Sequence, residues 1–244
     1  MAIDSSFESS TLPKILPIAE LLRAYHRHEV YGLNHIPKSG PAIIAVNHSL
    51  ATYDTLLLWV AVYHEHDRMI RALVDRLFFK IPYLSELMTH FGTYEGSPQA
   101  AKRLLSEGHL VCVAPGGMKE ALKPTPAQRY QIDWDQRRGF AKLAVENQVP
   151  VILAACPKAD DLYSVAPSKI TSFVYEKFRI PLFFAKGFGL TPIPRPVKLI
   201  HTLSERIYPP LIVKTDDLDA ATMEFHEILT KRMKSLMQEA LSYE

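Results

Sequence analysis

The chain has 244 residues, of which 48% are hydrophobic and 22% are charged. That is enough apolar material for one substantial core and too much for an intrinsically disordered protein. The formal net charge of only +2 at pH 7 gives no electrostatic reason for nucleic-acid binding, so we expect no nucleic acid as a partner. The weak basic bias is compatible with acidic cofactors or lipid headgroups.

Helix and strand patterns alternate along the chain, which favours an α/β layer fold in a single domain over residues 1–244. We divide it into an N-terminal helical segment (1–27), a core (28–215) and a C-terminal helix (217–241). In chain order the predicted elements are a helix at 13–26, strands near 28–33 and 41–46, a helix at 54–65, a strand near 69–74, helices at 81–90 and 97–107, a strand near 109–114, a helix at 137–147, strands near 150–155 and 197–202, and the final helix. Residues 157–170 are predicted to form an irregular loop.

A histidine and an aspartate follow the apolar run 42–46, which has the pattern of a buried strand. Neutral imidazole can take a proton from a hydroxyl, and a carboxylate can fix its tautomer and stabilise the imidazolium, so His48 and Asp54 are a candidate acid–base pair. Five residues separate them, and an offset of six cannot place both side chains on one face of a helix. We therefore expect a turn between them, with Asp54 at or just inside the N-terminus of the next helix, where a carboxylate is favoured.

A second motif, Ala-Pro-Gly-Gly-Met-Lys-Glu-Ala, follows the apolar run 109–113. Gly116 and Gly117 lack side chains, so their amides are candidate donors to an oxyanion or a phosphate; a tight turn is the alternative. Glu120 either belongs to the site or stabilises the first turn of a helix. The G-x-S-x-G elbow of serine hydrolases is missing, so we expect a hydroxyl of the substrate to be the nucleophile, without a nucleophilic side chain of the protein.

Together the two motifs resemble those of the glycerolipid acyltransferase superfamily, in particular its monoacylglycerol and diacylglycerol acyltransferase-like branch, which carries PGG-x-x-E-A. Three further segments are similar to the family's: 30–37 before the histidine strand, 137–142 after the glycines, and 190–196 before an apolar strand. The resemblance covers roughly residues 30 to 215. It implies a single-domain fold with a central mixed sheet flanked by helices.

The chain departs from the family pattern in two places. The widely known motif has four residues between histidine and aspartate, whereas five stand here, at 49–53. Phosphatidate-forming relatives have an arginine near 94–97 that binds the acceptor's phosphate, and this chain has Tyr-Glu-Gly-Ser there. A neutral glycerolipid or a lysophospholipid is therefore the preferred acceptor, ahead of lysophosphatidate.

The resemblance implies an O-acyltransferase that moves a fatty acyl group from a thioester to a hydroxyl of a glycerolipid-type acceptor. The donor is acyl-CoA or an acyl-carrier protein, with no bound cofactor and no metal. The sequence contains neither an apolar stretch of about 18 residues nor a secretory signal, so we expect a cytoplasmic protein that is peripheral on the cytoplasmic face of a membrane. A non-catalytic lipid-binding or transfer module and an acyl-thioester hydrolase are the alternatives.

The resemblance also implies roles for individual residues. His48 is the general base with Asp54 as its partner, and the substrate-binding residues are Asn47, Gly116, Gly117, Glu120, Arg137 and Arg138. Two alternatives are that Asn47 holds its loop and that Glu120 anchors a loop. For the two arginines, ion pairing with Asp133 or Asp135 at a helix start is the alternative to contact with the phosphates of coenzyme A.

Three other features allow ordinary interpretations. The histidine clusters at 26–28 and 64–66 lack a third ligand at a suitable spacing, so we expect exposed histidines and no metal site. Cys112 and Cys156 lie in apolar runs and are predicted to be buried free thiols in a reducing compartment. The final helix has apolar residues that pack onto the body or present a membrane or dimer face: Met223, Leu229, Met233, Leu236 and Met237.

Two apolar-aromatic segments with basic edges, 77–83 and 178–186, are candidates for a membrane-facing surface. Aromatic rings enter the acyl boundary while lysine and arginine stay with the headgroups. Either segment alternatively lines an acyl-chain tunnel or belongs to the core.

Overall fold

The computed structural model describes residues 12–50, 53–75, 79, 92–122, 126–165, 185–189, 191, 193–212 and 217–243. Within this part of the chain the strands are β1 (Glu29–Tyr31), β2 (Ala42–Val46), β3 (Ile70–Val74), β4 (Thr93–Glu95), β5 (Leu110–Val113), β6 (Val151–Ala155), β7 (Ser164–Val165), β8 (Ala185–Lys186) and β9 (Ile200–Leu203). The α-helices are α1 (Leu12–Tyr25), α2 (Asp54–His66), α3 (Pro98–Ser106), α4 (Gly117–Leu122), α5 (Gly139–Asn147) and α6 (Leu218–Leu241). Short 3-10 helices span Leu33–His35, Pro126–Gln128 and Pro157–Asp161.

Seven of the described strands form one mixed sheet in the order β1-β9-β6-β2-β5-β3-β4. Strands β2 to β6 run parallel to one another, whereas β9 is antiparallel to β6 and pairs in parallel with β1. The carboxyl ends of β2, β5 and β6 therefore lie together with the amino ends of β9 and β1, at what we call the upper end of the sheet. This topology confirms the predicted α/β fold with a central mixed sheet.

Alternate residues of the central strands face two helical layers. On β2, Ile43 and Ala45 pack with α3, α5 and α6, while Ile44 and Val46 pack with α2. All residues of β2 and β6 are buried. Burial on both faces explains why these strands appear in the sequence as continuous apolar runs rather than as alternating patterns.

The C-terminal helix α6 packs onto the body of the protein. Phe225, Leu229, Met233 and Leu236 are buried in the cluster that it shares with α5 and the sheet. The prediction that the final helix packs onto the body is confirmed. Its assignment of Met223 to the packed face is wrong, because Met223 is 44% exposed. Met223 stands six residues before Leu229, a rotation of about 120° around the helix, and so it lies off the buried face.

The start of α3 agrees with the sequence, and two short elements do not. Ser97 Oγ accepts the N–H of Ala100 at 3.1 Å, and Pro98 is the first helical residue. Strand β4 has only three residues and was not predicted. The irregular loop predicted at 157–170 is wrong for its described part, which forms a 3-10 helix and then β7, paired with β8.

Some predictions fall outside the described residues. They are the helix at 81–90 and most of the segments 77–83 and 178–186. Among the residues that the structure describes, no helix has the length and apolar character required to cross a membrane.

Candidate functional site

Asn47 is the first residue after β2 and joins the end of that strand to the end of β6. Its Oδ1 accepts the backbone N–H of Cys156 at 2.7 Å, and its Nδ2 donates to the carbonyl of Cys156 at 3.2 Å. Both residues are buried, so the side chain satisfies two main-chain groups where the strands end. This is the geometry of a residue that holds its loop; contact of Asn47 with substrate stays a prediction.

His48 follows directly, and a contact with the next residue fixes its tautomer. Its Nδ1 lies 2.9 Å from the carbonyl oxygen of Ser49. Because a carbonyl oxygen only accepts hydrogen bonds, Nδ1 carries the proton of the neutral imidazole and the lone pair is on Nε2. The side chain is half-buried at the upper end of the sheet. A general base needs such a lone pair, so this orientation suits proton abstraction from a hydroxyl.

Asp54 is the first residue of α2, which is the position predicted for it. Its Oδ1 accepts the hydroxyl hydrogen of Ser49 at 2.6 Å, and its Oδ2 lies 3.7 Å from Nε2 of His201. The carboxylate is buried, and the helix dipole favours a negative charge at this terminus. Ser49 therefore contacts both members of the predicted pair, with its carbonyl towards His48 and its hydroxyl towards Asp54.

The buried carboxylate of Glu120 joins two loops. Its Oε1 accepts the backbone N–H of His48 at 2.7 Å, and its Oε2 accepts the backbone N–H of Asp133 at 3.0 Å. Hydrogen bonds to an ionised acceptor are about twice as strong as neutral ones. Glu120 thus anchors the loop that carries the histidine.

The absence of side chains at the two glycines lets Glu120 pack against Gly116 and lets the chain turn tightly at Gly117. A Cβ at Gly116 would collide with the side chain of Glu120. Gly117 has a φ of 52°, in the left-handed region that favours glycine, and its N–H donates to the carbonyl of Ala114 at 3.1 Å. Because the amide of Gly117 closes the turn, Gly116 is the better of the two candidates for an oxyanion donor.

The arginine pair lies beside this turn. Arg137 donates from Nη1 to the carbonyl of Gly116, whereas Asp133 pairs with Lys119 at 2.8 Å. Arg138 is the residue before α5. Arg137 therefore braces the glycine turn through its backbone, and contact of either arginine with a donor's phosphates stays a prediction.

A buried histidine pair beside Asp54 was missed by the sequence analysis. His28, just before β1, and His201, in β9, are both buried, and Nε2 of the first lies 2.9 Å from Nδ1 of the second. The expectation of exposure is wrong for both His26 and His28, because α1 and the start of β1 pack against the residues that lead into β9. The available signal was a titratable residue within the apolar run of β9.

Burial keeps these imidazoles and the two thiols neutral. It lowers the pKa of His28 to about 2, an effect that His201 reinforces, and it lowers the pKa of His201 to about 3. Burial likewise raises the pKa of Cys112 to about 12 and that of Cys156 well above its usual value. Both cysteines are buried free thiols, as predicted.

A groove of about 610 Å³ lies at the opposite end of the sheet, between the end of β1 and α6. Tyr31, Leu203, Tyr208 and Tyr243 are among its lining residues. Since the described lining includes none of the predicted site residues, this groove is separate from the candidate site.

The upper end of the sheet thus combines an imidazole with its lone pair on Nε2, a buried carboxylate and a glycine turn, a set suited to acid–base chemistry on a hydroxyl. The sequence model described as Acyltransferase matches residues 27–156, more than half of the chain. The chain belongs to the acyltransferase family, and its predicted resemblance to the glycerolipid acyltransferase superfamily is confirmed.

Curated relatives and one solved structure agree with this assignment. The chain is 31% identical over 223 residues to the "DGAT1/2-independent enzyme synthesizing storage lipids" of Bos taurus, covering 88% of this chain and 64% of the relative. The Homo sapiens protein of that name is also 31% identical, with 88% and 66% covered. The chain therefore spans slightly less than two thirds of the length of these relatives. The structure of the 1-acyl-sn-glycerophosphate (LPA) acyltransferase PlsC from Thermotoga maritima has a similar fold, with a TM-score of 0.54 and 16% identity over 92% of this chain and 79% of that one.

Proposed function

We propose that this protein is an O-acyltransferase that moves a fatty acyl group from acyl-CoA or an acyl-carrier protein to a hydroxyl of a glycerolipid-type acceptor. The observation that carries the proposal is the 2.9 Å contact between Nδ1 of His48 and the carbonyl oxygen of Ser49. The Nδ1–H points to that carbonyl, so the lone pair of Nε2 is the basic atom. Family membership supports the reaction class.

The reaction needs two proton transfers, to His48 and from it, and the exchange of a C–S bond for a C–O bond. Nε2 of His48 takes the proton of the acceptor hydroxyl as the oxygen attacks the thioester carbonyl. The tetrahedral intermediate collapses with cleavage of the C–S bond, and the imidazolium returns the proton to the leaving thiolate. General base catalysis of this kind contributes about 10²- to 10⁴-fold in rate. In this mechanism the carboxylate of Asp54, which accepts the hydroxyl hydrogen of Ser49, stabilises the imidazolium.

The negative oxygen of the tetrahedral intermediate needs a donor. The backbone N–H of Gly116 is our candidate, because that of Gly117 already bonds to Ala114. Removing an oxyanion donor typically costs about 10²- to 10³-fold in rate. Arg137 bonds to the carbonyl of Gly116 and so holds the orientation of this peptide segment.

A neutral glycerolipid or a lysophospholipid is the acceptor class that we favour. Strand β4 runs parallel to β3, so its carboxyl end also lies at the upper end of the sheet. The residue there is Glu95, at the place where phosphate-binding relatives have an arginine. A carboxylate at this position cannot donate hydrogen bonds to the phosphate of lysophosphatidate, as an arginine would. The name of the bovine and human relatives, which refers to storage lipids, is compatible with this choice.

We also propose that the protein works at a membrane surface, on the cytoplasmic face. Large apolar side chains are exposed on α1 and on the segment after β8: Ile18, Leu21, Phe188 and Ile193. The two elements adjoin, since the hydroxyl of Tyr25 donates to the carbonyl of Pro194 at 2.8 Å. An exposed apolar patch beside the exposed Lys186 suits the boundary between acyl chains and headgroups.

The test is thiol release from palmitoyl-CoA and from palmitoyl-carrier protein, with monoacylglycerol, diacylglycerol, lysophosphatidylcholine and lysophosphatidate offered as acceptors. Release that requires one acceptor class, forms the acylated lipid and disappears in His48→Ala supports the proposal. Release without any acceptor identifies a hydrolase. Lipid binding without turnover identifies a binding or transfer module, and either of these results overturns the proposal.

A further inference from the structure

Four side chains from four parts of the fold form a line that ends at Asp54. Nε of Arg23, in α1, donates to Nδ1 of His28 at 3.2 Å. Nε2 of His28 lies 2.9 Å from Nδ1 of His201, whose Nε2 lies 3.7 Å from Oδ2 of Asp54. The first two contacts are hydrogen bonds, and the third is within ion-pair distance but longer than a hydrogen bond.

The arginine determines the direction of every hydrogen bond in this line. A guanidinium has donors and no acceptor, so Nδ1 of His28 must accept from Arg23. The proton of neutral His28 is then on Nε2, which donates to Nδ1 of His201. That leaves the proton of His201 on Nε2, the atom that faces Asp54. The donors therefore all point inward, from the half-buried cation to the buried carboxylate.

Three further titratable groups near Asp54 are neutral and bring no positive charge to it. The thiols of Cys112, on β5, and Cys156, after β6, are neutral, since burial raises their pKa values. Tyr53, next to Asp54, has a pKa raised by burial and is neutral as well. Ser49 donates to Oδ1, so the positive end of the His201 dipole is directed at the second oxygen, Oδ2.

We propose that Arg23, His28 and His201 form a donor chain that keeps Asp54 ionised and fixes its second oxygen, and that this chain positions the acid–base pair for acyl transfer. The inference rests on the proposed function and deepens it. His201 and His28 act through Asp54 and are positioning residues; they do not touch the reacting atoms.

A metal ion is the competing explanation for the same cluster. Asp54, Cys156 and His201 each offer one ligand atom, and these atoms lie within 4.8 Å of one another. Since Nδ1 of His201 contacts His28, the metal would bind Nε2 and displace its proton to Nδ1. The proton of His28 would then move to its own Nδ1 and face the N–H of Arg23, donor against donor. The arginine therefore favours the donor chain over a metal site.

Two substitutions of His201 separate positioning from a merely structural role. The side-chain amide of glutamine reaches the position of Nε2, and that of asparagine reaches the position of Nδ1. His201→Gln retains a donor towards Asp54, whereas His201→Asn retains the contact with His28 and loses that donor. We expect His201→Asn to lower kcat about tenfold, which is a fraction of the general-base contribution, with little change in KM. His201→Gln should retain most of the wild-type kcat.

The pH profile gives a readout that packing alone does not move. A donor stabilises the charged form of a carboxylate and lowers its pKa, so removing the donor raises that pKa. The acid limb of the kcat profile should therefore move to higher pH in His201→Asn and stay in place in His201→Gln. Arg23→Met, at a position that is 24% exposed rather than fully buried, should shift the limb in the same direction, and Arg23→Lys, which keeps a donor, should not.

The outcomes distinguish the chain from the function that it serves. All assays use the full chain with palmitoyl-CoA and the acceptor that supports turnover, and thermal melting checks that each variant folds. Suppose that turnover is lost in His48→Ala, while His201→Asn and His201→Gln do not differ from each other in kcat or in the acid limb of the pH profile. The donor chain is then wrong and the proposed function stands. One equivalent of zinc in the purified protein, lost in Cys156→Ser and His201→Asn, would also overturn the chain in favour of a metal site. Turnover that persists unchanged in His48→Ala would overturn the proposed function itself.

Discussion

The carboxylate of Glu120 shows how one buried side chain organises the site. It accepts two main-chain N–H groups, from His48 and Asp133, and it packs directly over Gly116. The position of His48, the proposed general base, therefore depends on a residue to which the proposed mechanism gives no part in the proton transfer. Changes at Glu120 and at Gly116 should have the same consequence, because either one removes this anchor.

Substituting Gly116 with alanine should displace Glu120 and release both main-chain donors. Leaving buried donors unsatisfied costs about 1–3 kcal/mol of unfolding free energy, and the loosened His48 should lower kcat at least tenfold. Urea unfolding and thiol release measure the two effects. Gly139→Ala is the matched control, because a Cβ there meets nothing within 4 Å. Equal stability and activity in the two variants would contradict the anchoring role.

At the scale of elements, a comparison of two methionines shows which face of α6 packs on the body. Met233 is buried in the core shared with α5, whereas Met223, about one and two-thirds turns before Leu229, is 44% exposed. Both belong to the same apolar pattern in the sequence. The rotation of residues around the helix places Met233 on the buried face and Met223 off it, so only Met233 is expected to stabilise the fold.

Met233→Ala should lower the free energy of unfolding by about 2–5 kcal/mol, because it removes a buried side chain and leaves a cavity. Met223→Ala, at an exposed position of the same helix, should change it by less than about 0.5 kcal/mol. Urea denaturation of the two variants measures the difference. Similar losses in both would mean that α6 presents a different face to the body.

The exposed apolar patch on α1 and the segment after β8 is the feature expected to meet lipid. Burying a leucine in an apolar phase contributes about 1.5–3 kcal/mol. The double substitution Ile18→Ser and Leu21→Ser should therefore weaken binding to vesicles of phosphatidylcholine and phosphatidylglycerol at least tenfold. Met223→Ser provides the control on another exposed surface. Co-sedimentation that is unaffected by the double substitution would exclude this patch as the membrane contact.

At the scale of the whole molecule, buried histidines make stability depend on pH. His28 and His201 have folded-state pKa values of about 2 and about 3, against an ordinary 6.5. Well above pH 6.5 both histidines are neutral in the folded and in the unfolded chain, so they add no pH dependence to the free energy of unfolding. At lower pH, the unfolded chain binds protons that the folded chain does not, so the folded state loses stability as pH falls.

The free energy of unfolding should therefore fall between pH 7 and pH 5, by up to about 1.4 kcal/mol per pH unit for each histidine that stays neutral in the fold. Urea titrations at several pH values measure this slope. His201→Gln should reduce it, whereas His64→Gln should not, since that side chain is half exposed. An unchanged slope in His201→Gln would mean that His201 is already protonated in the folded protein.

Most of the fold follows from local patterns in the sequence, and the exceptions are short. The runs that became β2, β5 and β6 are apolar throughout, because both faces of these central strands are covered. Strand β4 has three residues, too few for a period. Strands β7 and β8 have two residues each and form only because distant segments meet.

The site was predicted in part, for a similar physical reason. His48, Asp54 and Glu120 stand next to strands and in recognisable spacing, so the sequence indicates them. His201 is separated from His28 by 173 residues, and only the reversal of β9 relative to β6 brings the two together beside the carboxylate. The apolar run around His201 indicates that this histidine is buried, but nothing local to either histidine identifies Asp54 as the group beside them.

The measurement that tests this account most directly is single-turnover acyl transfer by the wild-type chain, His48→Ala and His64→Ala. Radiolabelled palmitoyl-CoA is mixed with the acceptor that supports turnover, and labelled lipid is counted against time. We predict that His48→Ala loses about 10²-fold or more in rate, while His64→Ala, an exposed histidine that is remote from the glycine turn, retains the wild-type rate. Equal rates in all three proteins would contradict the assignment of His48 as the base, and with it the proposed mechanism.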